Sequence, residues 1–216
     1  MTDDRKAGIA LIAGSVGGVV TMAIHPGARW APGAQITPLA VMAGISHGIA
    51  LVSIVLLFLG GCGVSRRLAA ADRISFAAMV TFGFACVAVF IAGAVSGFII
   101  PGIMKQMSRD ATAAAHQWQI VMSGIFQINQ AFARIYSVAA SAAIILWSAA
   151  AIRNGGIGRA TAIYGCVMAS LTIVGIVIGH LRVDVHGMAI VGAGQMIWFI
   201  LVGYQLYSRP GIARPV

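Results

Sequence analysis

Apolar residues in this chain neither alternate with polar ones nor mark a single helical face. They run almost unbroken through six stretches, at about 7–24, 39–60, 74–100, 120–150, 161–181 and 187–207. A hydrocarbon core roughly 30 Å thick needs about 20 apolar residues in a helix, and each stretch meets or nearly meets that length. Alternating segments of about ten residues, as a membrane β-barrel requires, are absent. The pattern predicts an all-α, polytopic membrane bundle of about six transmembrane helices, with residues 1–216 as one transmembrane helical domain.

Turn-forming residues punctuate the pattern. His25, Pro26 and Gly27 close the first helix, and Pro32, Gly33 and Pro38 keep the next connection irregular. Gly60, Gly61 and Gly63 are expected to end the second helix, and Pro101 with Gly102 the third. Asn154, Gly155 and Gly156 end the fourth, and Ser208 to Gly211 the sixth. The outer segment 101–119 mixes polar and apolar residues. It and the residues up to 130 read either as a helix lying on the membrane surface or as an extension of the fourth helix. The opening MTDDRK carries two acids and no small-x-small cleavage site follows, so the first run reads as a span rather than a signal peptide.

Charge orients the bundle. Arg5, Lys6, Arg66, Arg67, Arg73, Arg153, Arg159, Arg209 and Arg214 fall on one side; Arg29, Lys105, Arg109 and Arg182 fall on the other; Arg134 lies within the fourth run. The positive-inside rule then makes both termini cytoplasmic, in a bacterial inner (plasma) membrane. The net charge of +9 is spread between apolar runs with no basic stripe or arm. It suits the lipid bilayer and its anionic headgroups, and not nucleic acid. Small-residue pairs at Gly14–Gly18, Gly44–Gly48, Gly93–Gly97 and Gly175–Gly179 offer close helix approach, within the bundle or in a homo- or hetero-oligomer. The Gly175–Gly179 face is expected against another helix of the same chain.

The polar inventory narrows function mainly by exclusion. The only acids are Asp3, Asp4, Asp72, Asp110 and Asp184, all near helix ends or in connections, and there is no glutamate. Proton coupling through buried carboxylates, two-carboxylate hydrolysis and HExxH zinc chemistry are excluded on that count. Phosphate-binding glycine loops are absent as well, and Ser46 beside His47 lies within an apolar helical run rather than at the strand-to-helix turn of a nucleophile elbow. Cys62, Cys86 and Cys166 show neither paired nor CxxC spacing, and read as apolar fillers.

One pattern remains. His25, His47, His116, His180 and His186 all fall on the outward side, and His47 lies about 12 Å inside the second helix. A titratable group at such depth is a functional candidate. The expected site joins His47 to His180 and His186, with Asp184 orienting one ring from the second shell, and a transition metal or haem is the cofactor such imidazoles would hold. Three functions compete: a bundle binding a metal or haem or serving as a subunit of a membrane complex, a channel or permease for a small solute, and a histidine-dependent membrane enzyme.

Overall fold

The computed structural model describes residues 1–26, 36–68, 73–107 and 115–209; of 36, 37, 115 and 116 it gives the backbone alone. Six helices are long and apolar enough to cross a membrane. They are α1 (Asp3–Ile24), α2 (Ile36–Leu68), α3 (Arg73–Met107), α4 (Ala115–Asn154), α5 (Arg159–Val177) and α6 (Val185–Ser208). Each helix packs on its neighbour in sequence, and α1 packs on α6, so the six close into a ring.

Polar contacts align the helix termini at the arginine-rich end. Asp3 meets Arg66 at 3.3 Å, Asp4 meets Arg67 at 2.8 Å, and the Arg67 Nε donates to the Gly156 carbonyl at 2.9 Å. Ser65 and Ser75 exchange hydroxyl-to-carbonyl bonds between α2 and α3. Gln205, near the end of α6, accepts from the Gly158 N–H at 2.6 Å ahead of α5. The sequence-based grouping of Arg66, Arg67, Arg73, Arg153 and Arg159 at one end is therefore what the chain builds.

Two expected breaks are absent. Helix α2 runs through Gly60, Gly61 and Gly63 to Leu68. These glycines are contact surfaces: a Cβ at Gly60 would strike Leu11, one at Gly61 would crowd Phe82 and Trp147, and one at Gly63 would strike Ala7. Helix α3 likewise passes through Pro101 to Met107, by way of a π-helical turn at Val95–Ile99. Proline lacks an N–H and its ring crowds the carbonyl four residues back. For Pro101 that carbonyl belongs to Gly97, inside the widened turn, so the π-turn absorbs the proline. The segment 101–130 is a helical extension: α3 runs to Met107 and α4 begins at Ala115, while 108–114 lie outside the described residues.

The Gly14–Gly18 pair packs within the bundle as expected, against Ser53, Leu57 and Met196. Gly93 and Gly97 face Leu51 and His47 of α2. Gly44 and Gly48 face open space. The Gly175–Gly179 expectation fails for a backbone reason. Helix α5 ends at Val177, and Gly179 has φ +77°, the left-handed conformation of a helix C-terminus. Its N–H donates to the Ile176 carbonyl, and a Cβ there would meet nothing; Gly175 touches only Leu181 of the following turn.

The arginine-rich half of the ring is filled. Phe82, Trp147, Trp198 and Phe199 form one aromatic layer with centroids 5.2 to 6.0 Å apart, and Leu11, Val64, Ile144 and Leu206 pack fully buried around it. Toward the other end the buried groups become polar. The Tyr136 hydroxyl donates to Gln195 Oε1 at 2.9 Å, and Gln195 Nε2 donates to Ser141 Oγ at 3.2 Å. Gln195 is 0% exposed, so this chain of bonds is what makes its amide tolerable in an apolar interior.

Candidate functional site

In the histidine half the ring does not close on itself. It encloses a cavity of about 340 Å³ walled by α1, α2, α3, α4, α6 and the connection before α6. Its floor is Leu57, Phe82, Tyr136 and Met196, and its far end carries His25, His47 and Asp184. Phe82 belongs also to the aromatic layer, so the cavity stops where the packed half begins.

His47 is 6% exposed. Its Nδ1 lies 2.8 Å from the Ala43 carbonyl oxygen, one turn back on α2. A carbonyl oxygen can only accept, so Nδ1 carries the proton and Nε2 carries the lone pair. Ser46 Oγ, itself donating to the Ala43 carbonyl at 3.1 Å, lies 3.2 Å from the same Nδ1 and shares in fixing the ring. On its other flank, the Cβ and Cγ of His47 rest where Gly97 has no side chain.

His25, which caps the end of α1, brings its ring to 5.0 Å from that of His47, at 64°. Thr21 holds the two helices in this register by donating both to the Gly17 carbonyl at 2.9 Å and to the Ser46 carbonyl at 3.2 Å. Burial holds the His25 imidazole below its ordinary value, and the neighbouring His47 acts in the same direction.

His180 and His186 stand apart from this pair. His180 is exposed in the turn after α5, its Nδ1 3.4 Å from the Ile178 carbonyl. His186 is exposed in the first turn of α6. Asp184 is the N-cap of α6: its Oδ1 accepts from the Gly187 N–H at 2.9 Å, and that bond, with His186 and Arg182 nearby, keeps its carboxyl below the usual range. Among the described residues, no three His, Cys or acidic side chains form a group able to hold a metal ion. His47, His180, His186 and Asp184 thus do not assemble as the expected metal set. The physical reason is local: Asp184 is engaged in capping, and the glycine turn at Gly179 leaves both neighbouring imidazoles at the surface. His116 lies in the first turn of α4, with its side chain outside the described residues.

The site expected from the sequence does not include His25. Its partnership with His47 depends on the α1–α2 register set by Thr21 and Ser46, which no local spacing reveals. The cavity's other polar groups were equally hidden: Ser96 on α3 donates to Asn129 Oδ1 on α4 at 3.1 Å, across 33 residues.

No family profile matches the chain, and comparison with curated proteins and with solved structures yields no match.

Proposed function

We propose that this membrane protein binds a small, largely apolar molecule in the cavity beside His25 and His47. The cavity opens to the outer face of a cytoplasmic membrane, and both termini lie inside. The observation that carries the reading is the cavity itself. Protein interiors hold few voids larger than a water molecule, and 340 Å³ would take about ten waters at roughly 30 Å³ each. Its size falls within the range of small-molecule pockets, and its mostly apolar walls with a few polar groups fit the same description. Conduction is the weaker reading for this conformation, because Trp147, Trp198, Phe199 and Leu206, all fully buried, fill the path from the cavity floor to the arginine-rich end. The orientation rests on the arginine distribution.

The test is a cavity-filling variant. Gly192 lines the cavity, and a Cβ on it would meet no atom within 4 Å. Gly192→Phe should fold, eliminate small molecules seen bound by native mass spectrometry of the gently purified wild type, and raise the melting temperature of the ligand-free protein. A Gly192→Phe protein that retains the same bound molecules would place them elsewhere and end the proposal.

A further inference from the structure

Several hydroxyl groups around the cavity have already committed their protons to the protein. Thr21, Ser53, Ser96 and Tyr136 all line it. Each spends its hydroxyl proton on the protein: Thr21 on the Gly17 and Ser46 carbonyls, Ser53 on the Ile49 carbonyl at 2.8 Å, Ser96 on Asn129 and Tyr136 on Gln195. The Nδ1 proton of His47 goes to the Ala43 carbonyl in the same way. What these five side chains leave for an occupant is lone pairs. The strongest of them belongs to His47 Nε2, which has no hydrogen bond within the described residues and is held by Ser46 and Gly97 on either side. Among the described residues no lysine or arginine lines the cavity, and the one carboxylate, Asp184, is at the rim, committed to the Gly187 N–H. A full charge carried deep among Leu57, Val89 and Met196 would lose its hydration without a partner. A neutral head that donates one hydrogen bond would not.

Resting on the ligand-binding reading above, we propose that the occupant is an alcohol or phenol whose hydroxyl donates to His47 Nε2 while its apolar body fills the space above Phe82 and Met196. The site then selects by hydrogen-bond polarity. A ketone or an ether of the same shape can accept from the amide N–H groups of Asn129 or Gln130, which also line the cavity, but it offers no proton to His47 Nε2 and leaves that lone pair unsatisfied. That mismatch is what makes hydrogen-bonding pockets discriminate.

A matched pair of probes tests this: 4-butylphenol and its methyl ether, which share a shape and differ by one donor. Titrated calorimetrically into the detergent-purified full chain, the phenol should bind at least about tenfold more tightly, the worth of one net hydrogen bond. His47→Leu should erase the preference, and His47→Gln, which keeps an acceptor, should retain part of it. Gly192→Phe should abolish binding of both probes. Equal binding of phenol and ether, with both lost in Gly192→Phe, overturns donor selection and leaves the cavity reading standing. Phenol binding that survives Gly192→Phe, or binding of neither probe to the wild type, sinks both. Stoichiometric zinc that displaces the phenol and requires His25 and His47 would give the lone pair to a metal ion and overturn the proposal.

Discussion

At the scale of single residues, the environment of each imidazole decides its chemistry, and pH is the direct probe of it. His25 is held below its ordinary value by burial, with His47 facing it from α2. For a base with a depressed value, the folded state binds fewer protons than the unfolded one. Its contribution to stability is present above the unfolded value of about 6.5 and is lost as pH falls below it. Asp184 is depressed as well, but as an acid: its contribution is present above the ordinary carboxylate value and lost only as pH falls through its lowered one. The melting temperature in detergent should therefore be flat from about pH 8 to 7, fall as pH drops below about 6.5, and fall again under strong acid. His25→Gln should shrink the first step, leaving the share that belongs to the buried His47, and leave the second. A first step unchanged in that variant would assign it to another group. The buried amide gives a second residue-level expectation. Gln195→Leu deprives the Tyr136 hydroxyl of its acceptor and should cost about 1–3 kcal/mol of stability, with Tyr136→Phe in the same background restoring part of it. Of this layer the sequence shows only that His47 falls within an apolar run. Which nitrogen carries its proton, and that Gln195 is paired, follow from contacts 59 residues or one helical turn away.

At the scale of elements, continuous apolarity was enough to place all six spans, because a lipid-facing helix has no polar face to obscure its length. Helix ends were legible where glycine or proline could only terminate, as at Pro26 after α1 and at Gly155 and Gly156, whose φ values of +78° and +91° follow α4. They were misread where the same residue types serve packing or a bulge, as at Gly60, Gly63 and Pro101. Glycine's two uses, positive φ and close approach, look alike in one dimension. The turn after α5 and the first turn of α6 hold one of each. Gly179 is there for its dihedral: Gly179→Asn should be nearly neutral, whereas Gly179→Ala should cost about 1–2 kcal/mol, the penalty of a left-handed conformation with a Cβ. Gly187 is there for space, since a Cβ would overlap the Arg182 carbonyl. Gly187→Ala and Gly187→Asn should both cost about 1–3 kcal/mol, the usual range for overpacking. Thermal unfolding of the four variants distinguishes the two causes, because only the dihedral cause is relieved by asparagine.

At the scale of the whole molecule, helix lengths and helix alignment together fix how the bundle sits. Helices α1, α5 and α6 have 22, 19 and 24 residues, about the 20 a bilayer core requires. Helices α2 and α4 have 33 and 40, and α3 spans 35. Polar contacts hold the arginine-rich ends level, so in a bilayer that begins there the surplus would emerge at the histidine end, by about 20 to 30 Å for α2 to α4 at 1.5 Å per residue. Arg134 marks the crossing. It is exposed and stands 19 residues, about 28 Å, from Arg153 on the same helix, a separation that would put the two guanidinium groups at opposite interfaces of that bilayer and account for a cation inside an apolar run. The α4 segment 117–130 should then stand outside the hydrocarbon. Single-cysteine labelling tests this after Cys62, Cys86 and Cys166 are replaced. Gln119→Cys, on an exposed position, should react with an impermeant maleimide added to intact cells. Ile144→Cys, fully buried, should not react, and Asn154→Cys should react only after permeabilisation. Labelling of position 154 in intact cells and of 119 only after permeabilisation would invert the bundle and turn the cavity toward the cytoplasm. Protection of 119 under both conditions would mean that the exposed Ile120 and Ile128 are covered by lipid or by another chain, and that the projection does not reach water.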